Sequence, residues 1–537
     1  MSNLLSKASI ILTPTAYSEG TLHSIKPLQT LGSELVTNGD FATDSDWNKG
    51  DGWIISGGTA NCDGSQSATT NFSQSNVISD QSKTYRVEFT LSNYVAGSIK
   101  SKISNDAQGA NRSANGNFVD FLSGMNNNSL NFTATSDFIG SIDNVSVKEV
   151  IDADFEFTRS TTATRENSSG NIESVAANLP RIDYLGGTAH ILLEPQSTNT
   201  ATYSNDFTQG DIFNGSNNPS LTSSVLSANQ STSPDGTNTA QKLTDNNDGG
   251  TGSIVLNYHS TIFTSGEAST ISIFVKKDTV RYFRISITNL DTSQATSFDL
   301  DTGLVNDGTG VMTDYGDGWY RCSATITTTT DLMGSVQFSI SNNPTVSGGN
   351  LRNGTKSTFL WGLQAEELSF PTSYIPTSGS TVTRSADAAN NSGSSDLISS
   401  TEGVLYAEIS ALANSGDSRF ISLSDGTNQN IVLLGYVSTD NRIRIFIKSN
   451  NSTSSNSTLT TITATDFNKI AVKYKENDFA LWVNGTETFT DSSGSAPIGL
   501  NDLSFNFNSS DRFFGKVKCI AVFKEALTDA QLAALTS

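Results

Sequence analysis

The sequence predicts an all-β chain of tandem antiparallel jelly-roll β-sandwiches with one short C-terminal helix, and three observations predict it. Hydrophobic residues make up 35% and charged residues 16% of the 537 positions, while Ser, Thr, Asn and the 43 glycines fill the difference and aromatics hold at 9%. That mixture suits half-buried strands joined by polar turns rather than long helices. Period-two alternation recurs: in "TYRVEFTL", Tyr85, Val87, Phe89 and Leu91 fall on one side and Arg86, Glu88 and Thr90 on the other. Turn signals such as Asn484-Gly485, which takes positive φ at both positions, return one strand onto the next.

A chain this long exceeds what one core serves, so several domains are expected. Residues 1–36 read as a leader whose "SIILTPTAY" makes one strand, a possible anchor to a larger particle. Residues 37–150, from "ELVTNGDFATDSDWN" to "GSIDNVSVKEV", read as a first sandwich. In residues 151–199, "TRSTTATRENSSGNIESV" is a strand, a turn and a strand, expected to be a β-hairpin connector rather than core. Residues 200–370 read as a second sandwich, because "YSNDFTQ" echoes "TNGDFAT" at its start and "FLWGLQAEEL" stands where "SIDNVSVKEV" closed the first. Residues 371–398 are polar, hold two prolines and read as a linker. The last sandwich, residues 399–537, ends in "FKEALTDAQLAALT", where Thr528 as N-cap and Gln531 three residues on make a capping box, with Ala530, Leu532 and Leu535 available for packing.

A formal charge of −21 repels phosphate backbones and anionic bilayers, which argues against nucleic-acid and membrane partners. No apolar run reaches the length of a membrane span, and the first residues lack the pattern of a secretory signal, so synthesis in a host cytoplasm is expected. The Asn/Ser/Thr-rich, lysine-poor surface nevertheless suits work outside cells; release by lysis reconciles the two and points to the surface of a virus particle. Cys62, Cys322 and Cys519 are odd in number and widely spaced, fitting neither a disulfide framework nor a zinc site. His23, His190 and His259 lie in separate segments, and no nucleophile elbow, zinc-binding helix or phosphate loop occurs, so no enzymatic activity is expected.

The parity of residues 442–483 singles out one candidate surface. Ile443, Ile445 and Ile447 alternate with Arg442, Arg444, Phe446 and Lys448; Ile470, Val472 and Tyr474 alternate with Lys469, Ala471 and Lys473; Phe479, Leu481 and Val483 leave Ala480 and Trp482 on the other side. If these consecutive strands neighbour each other in one sheet, Trp482, Phe446, Arg442, Arg444, Lys448, Lys469 and Lys473 collect on its outer face. Such a patch would stack on sugar rings and pair with acidic substituents, pack against another subunit, or merely shield apolar surface under basic stems.

The combination of "LLEPQSTNTATYSNDFT", "SFDLDTGLV", "DGWYRCSATIT" and "SFPTSYIPTSGSTVTRSAD" resembles virion structural and fibre proteins of tailed bacteriophages, built from jelly rolls similar to carbohydrate-binding modules. The last domain, with "GVLYAEI", "KIAVKYKENDFALWVNG" and "FFGKVKCIAVFKEALTDAQLAAL", is similar to laminin-G/concanavalin-A-like sandwiches. The resemblance implies a tail or head fibre protein that binds host-surface polysaccharide, with a purely structural capsid-decoration or fibre protein as the alternative. It also implies other virion proteins as partners through the N-terminal segment, and a homo-oligomer, commonly a trimer. Jelly rolls of this kind often tie first strand to last through a structural calcium, and Asp40 in "NGDF" and Asp143 in "SIDNV" occupy such positions.

Overall fold

In a computed structural model, residues 2–27, 31–81, 83–123, 126–209, 220–288, 294–329, 332–344, 351–414, 418–438, 442–459, 462–507 and 511–537 are described. Among the described residues the protein is all-β apart from two short helices, α1 (Ser2–Leu5) and α2 (Asp529–Thr536). Its strands form two compact bodies, residues 28–152 and residues 1–27 with 153–537.

Residues 28–152 are an antiparallel sandwich. One sheet runs Gly116–Leu122, Tyr85–Ala96, Ile139–Val150, Thr59–Asp63, Trp53–Ser56, with Leu31–Glu34 also beside Ile139–Val150; the other runs Asn48–Lys49, Thr70–Gln74, Leu130–Ala134, Ile99–Lys102. The alternation of Tyr85–Leu91 holds: Tyr85, Val87, Phe89 and Leu91 are all in the core, where Phe89 meets Phe132 edge-on at 5.0 Å. Trp47 stacks on Phe72 at 4.8 Å and Trp53 lies 5.0 Å from the same ring, so both tryptophans are core.

The second body holds two sandwiches. Within residues 200–370 two six-stranded antiparallel sheets enclose a core that includes Leu243, Ile271, Phe283, Phe298 and Phe338. In "DGWYRCS", Trp319 is buried on the outer side of one sheet with Phe274, Trp361 and Tyr374, while Tyr320 packs partly buried on the inner core. The hairpin Ala163–Glu166 and Ile172–Val175, expected to be only a connector, supplies Ile172 to that outer aromatic cluster.

The C-terminal sandwich has a front and a back sheet. The front sheet runs Ser452–Leu459, Ile443–Ser449, Ile431–Tyr436, Arg419–Ser424, Asp511–Arg512, Asn506–Phe507, with Asp502–Ser504 also beside Arg419–Ser424. The back sheet runs Ala388–Asn390, Phe155–Thr158, Thr21–Ile25, Ile10–Ser18, Gly515–Phe523, Glu402–Ala411, Asn468–Lys475, Phe479–Val483, Thr486–Asp491. The expected leader is therefore not a separate piece: Ile10, Ile11 and Leu12 pair with Val522, Ala521 and Ile520. Residues 28–152 are an insertion between two strands that pair with each other, Leu22 opposite Phe155. Asn484 and Gly485 both take positive φ in the predicted turn, and α2 starts with the predicted Thr528–Gln531 capping box.

The stretch expected to be a solvated linker, 371–398, is packed. Tyr374, Ile375, Arg384 and Asp387 are each at most 4% exposed. Asp387 accepts from Arg159 Nη1 at 3.1 Å, from Arg181 Nη2 and from the Glu194 backbone N at 2.8 Å, and Glu194 in turn accepts from Arg181 Nη1 at 2.7 Å and lies 3.5 Å from Arg384. All five side chains are 4% exposed or less. Burial works against the Glu194 charge, but Arg181 and Arg384 outweigh it and hold the carboxyl down at about 2. The same burial lowers the Arg159 pKa, whereas Arg181, also buried, is held above its ordinary value by Asp387 and Glu194. The supposed connector and linker thus close on each other through an ionic knot, since a buried charge is tolerated only when paired and hydrogen-bonded.

Candidate functional site

The strands carrying the predicted basic and aromatic patch keep their parity but not their pairing. Ile443, Ile445 and Ile447 point into the sandwich, as do Ile470, Val472, Tyr474, Phe479 and Leu481, all of them fully buried. Ile443–Ser449, however, lies in the front sheet, and Asn468–Lys475 and Phe479–Val483 lie in the back sheet. The chain passes from one sheet to the other after the hairpin with Ser452–Leu459, so the expected patch is divided between opposite faces.

On the back face, Trp482 is 9% exposed and sits with Tyr406, Ala471, Ala480, Leu532 and Leu535 beneath α2, with Leu4 and Leu5 of α1 packed against the same cluster. Its ring is core to a second apolar layer rather than a platform, and its Nε1 has no hydrogen-bond partner among the described residues. Lys473 bridges to Asp478 at 2.6 Å and to Asp529 of α2 at 3.6 Å, and Lys469 Nζ donates to the Ser537 carbonyl. Of the residues of α2 expected to pack, Leu532 and Leu535 do so and Ala530 is exposed; the sheet face on which the helix docks left no mark in strand parity.

On the front face, the register sets residues in rows across the sheet. Phe446, Leu433, Ser422 and Ser504 form one row, Lys448, Ile431, Ser424 and Asp502 the next, and Arg444, Gly435, Phe420 and Arg512 a third. Arg444 and Lys448 lie over the Phe446 ring at 5.1 and 5.8 Å, and Arg442 stands half-buried at the turn into that strand, its carbonyl accepting from Val437 N. Phe446 shields Phe420, Ile431 and Leu433 together with Val437 and Phe507, which explains how outward-pointing apolar residues are almost fully buried.

Beside this apolar strip lies a cleft of about 500 Å³ lined by Asn391, Ser422, Ser424, Gly426, Thr427, Asn428, Ile431, Asp502, Ser504, Asn506 and Phe507. Its volume falls in the range of small-ligand pockets. Three elements build it. The segment at Asn391, with φ +61°, docks along Asp502–Ser504: Asn391 N donates to Ser504 Oγ at 3.0 Å, and Ser392 and Leu503 exchange backbone bonds. The turn 425–430 is fastened by Asp425, which accepts from Thr427 N at 2.9 Å and from Asn430 Nδ2 at 2.8 Å. The third wall is Asn506–Phe507, where Ser422 Oγ donates to the Asn506 carbonyl at 2.7 Å, Asn506 Nδ2 donates to Asn390 Oδ1 at 2.9 Å, and Phe507 meets Phe420 edge-on. Burial pushes the Asp502 carboxyl up, against the hydrogen bond from Ser504 Oγ at 2.7 Å, with nearby Glu156 adding to the rise. Planar amides, one carboxylate, hydroxyls and a phenyl ring converge here, a donor and acceptor set matched to a polyol with an apolar face. Sequence reasoning missed all of these residues except through their neighbour Phe446, because the cleft is assembled from segments more than a hundred residues apart.

In the first sandwich, the loop and strand named for calcium do meet: Val145 N donates to Gly39 O at 2.9 Å. Asp40 accepts from its own turn at Ala42 N, 3.4 Å, and Asp143 from Asn144 N at 2.6 Å. Calcium takes six to eight oxygens, and no cluster of three or more His, Cys, Asp or Glu side chains exists among the described residues. The pair alone therefore does not make a fitted calcium site. The three cysteines are free and buried, and among the described residues no helix is long and apolar enough to cross a membrane.

Comparison with known proteins bears on the C-terminal sandwich. No curated protein sequence matches the chain significantly. Among solved structures, the carbohydrate-binding module (CBM40) of Ruminococcus gnavus IT-sialidase bound to α2,3-sialyllactose shares 14% identity over 28% of this chain and 94% of its own, with a TM-score of 0.24. The tandem CBM22 modules of Paenibacillus barcinonensis Xyn10C share 12% over 63% and 98%, at 0.20. Domains LG4-5 of the mouse laminin α1 chain share 11% over 50% and 89%, also at 0.20. Those scores are too low to carry an argument. The family model of the concanavalin A-like lectin/glucanases superfamily, laminin G type, matches residues 392–533, the stretch that folds into most of the cleft-bearing sandwich.

Proposed function

We propose that the chain is a non-catalytic glycan-binding protein whose C-terminal sandwich holds a sugar in the front-sheet cleft. The observation that carries this reading is the convergence of Asn391, Asn428, Asp502, Asn506 and Phe507 around one concave space, all but Asn391 in the stretch similar to concanavalin A-like lectins. Among the described residues Asp502 is the one acid lining the cleft, whereas glycoside hydrolysis ordinarily requires two placed carboxyl groups. A shallow polar cleft gives weak single-site affinity, so display in many copies raises the effective strength. The sequence resemblance extends the proposal to a bacteriophage particle: a tail or head fibre protein, homo-oligomeric, anchored to other virion proteins and attached to host polysaccharide.

The test is a glycan array probed with the full chain, with Asp502→Asn and Asn506→Ala as cleft variants. Saturable binding to a sugar that both variants lose supports the reading. Binding that both variants retain removes this cleft, and no saturable signal on any sugar favours a purely structural fibre or decoration protein. The internal use of Trp482 under α2 is what keeps that second reading in play.

A further inference from the structure

A second concave space lies against the first. A cleft of about 650 Å³ is lined by Ser400, Thr401, Ser449, Asn450, Thr453, Glu476, Ser495 and Ile498, among others, at one end of the C-terminal sandwich. The two clefts share a wall. Asn430, itself 6% exposed, ends the turn that lines the first cleft, and its Oδ1 accepts from Asn450 N at 2.9 Å and Ile498 N at 3.2 Å, both residues of the second. Lys448 crosses the same boundary, donating to Asn428 O at 3.3 Å on the first side and to Asn451 Oδ1 at 3.1 Å on the other. From Ile498 in the second cleft the chain runs to Asp502 in the first, tied on the way by Leu500 N to Ser400 Oγ at 2.8 Å and Asn501 N to Ser424 O at 2.8 Å. Four residues span at most about 14 Å, so the two spaces are adjacent, separated by a ridge of hydrogen-bonded turns held in place by one buried asparagine.

We infer that the two clefts form one groove for a linear, uncharged polysaccharide segment several sugars long, an inference that rests on the first cleft being a glycan site. The lining of the second cleft is mainly hydroxyls, with the exposed aliphatic Ile498 at 52% as an apolar face. The acids lining the groove are Asp502 and Glu476, and Lys448, on the ridge between them, is already engaged by both walls. A uronate or sulfate polymer would bring its charges against this acidic excess on a chain of net charge −21, so neutral sugars are the fitting class.

The test uses the full chain. Affinity electrophoresis in gels carrying neutral α-glucan, β-glucan, mannan or galactan, with polygalacturonate as the anionic counterpart, identifies a polymer that retards it. Calorimetry with the disaccharide and hexasaccharide of that polymer follows. The expected result is a hexasaccharide bound at least about tenfold more tightly than the disaccharide, because linked subsites raise effective concentration. Ser495→Trp, a substitution at an exposed position that fills the second cleft, should bring the hexasaccharide to the disaccharide level and leave disaccharide affinity unchanged, while Asn506→Ala weakens both. Equal affinity for the two lengths, a silent Ser495→Trp in a variant with an unchanged melting temperature, or stronger retardation by polygalacturonate overturns the groove. Of these, equal affinity that is still abolished by Asn506→Ala leaves the first cleft standing, and retardation by none of the polymers removes the groove and, with a blank array, the first cleft too.

Discussion

Replacing Asp387 by Ala tests whether the buried ionic knot holds the C-terminal sandwich to the segments that precede it. The substitution removes the acceptor for Arg159 Nη1, Arg181 Nη2 and the Glu194 backbone N at once, leaving three arginines opposite the single carboxylate of Glu194. Deleting one partner of a fully buried pair costs about 3–5 kcal/mol, because the remaining charge stays desolvated. Glu194 shows the other half of the knot: burial opposes its charge, yet Arg181 and Arg384 bring its carboxyl from 4.5 to about 2, a shift on the order of 3 kcal/mol of folding stability. Since the folded pKa is depressed, this stability is present above about pH 4.5 and is lost as pH falls toward 2. Urea unfolding followed by tryptophan fluorescence measures the effect, with the exposed Asp396→Ala as control, expected within about 0.5 kcal/mol of wild type. If Asp387→Ala is no more destabilising than that control, or if the wild type loses no stability between pH 4.5 and 2.5, the knot is not a structural clamp.

Trp482→Ala should lower stability by about 3 kcal/mol, the cost of a large core truncation, while glycan binding stays intact; loss of binding without loss of stability would return Trp482 to the ligand surface. At Asp502 burial raises the carboxyl pKa, so the folded state disfavours its charge at neutral pH and that penalty fades as pH falls through the folded value. Asp502→Asn should therefore match or exceed wild-type melting temperature at pH 7 even as it loses sugar; a clear drop would show that the carboxylate is structurally required. A chelator should leave the melting of residues 28–152 unchanged, given the oxygens Asp40 and Asp143 already commit to their own turns, and a fall that added calcium reverses would place an ion there. Prolonged incubation with the bound glycan should release no new reducing ends; their appearance, abolished by Asp502→Asn, would make the cleft an active site.

What the sequence discloses here is what each strand says about itself. Phase within Ile443–Ser449, Asn468–Lys475 and Phe479–Val483 was readable because the inward side chains repeat at period two regardless of neighbours. Which strands pair was not, since the switch from front to back sheet leaves no mark in local pattern, and consecutive strands neighbour each other only most of the time. The knot was hidden for a related reason: Arg159, Arg181, Glu194, Arg384 and Asp387 sit in polar stretches that resemble solvated linkers, and only long-range closure buries them. The cleft depends on the same kind of closure, bringing residue 391 beside 504 and 424 beside 502.

The pairing of Ile10–Leu12 with Ile520–Val522 has a consequence for how the protein is made. An early strand must wait through more than five hundred residues of synthesis before its partner emerges, and contacts so distant along the chain form slowly. During that interval the two jelly rolls have everything they need to fold, whereas the lectin-like part is an unsealed edge able to join the wrong neighbour. A nascent chain halted anywhere before Ile520 would carry that exposed ribbon, so yield should respond to chaperone supply and translation rate.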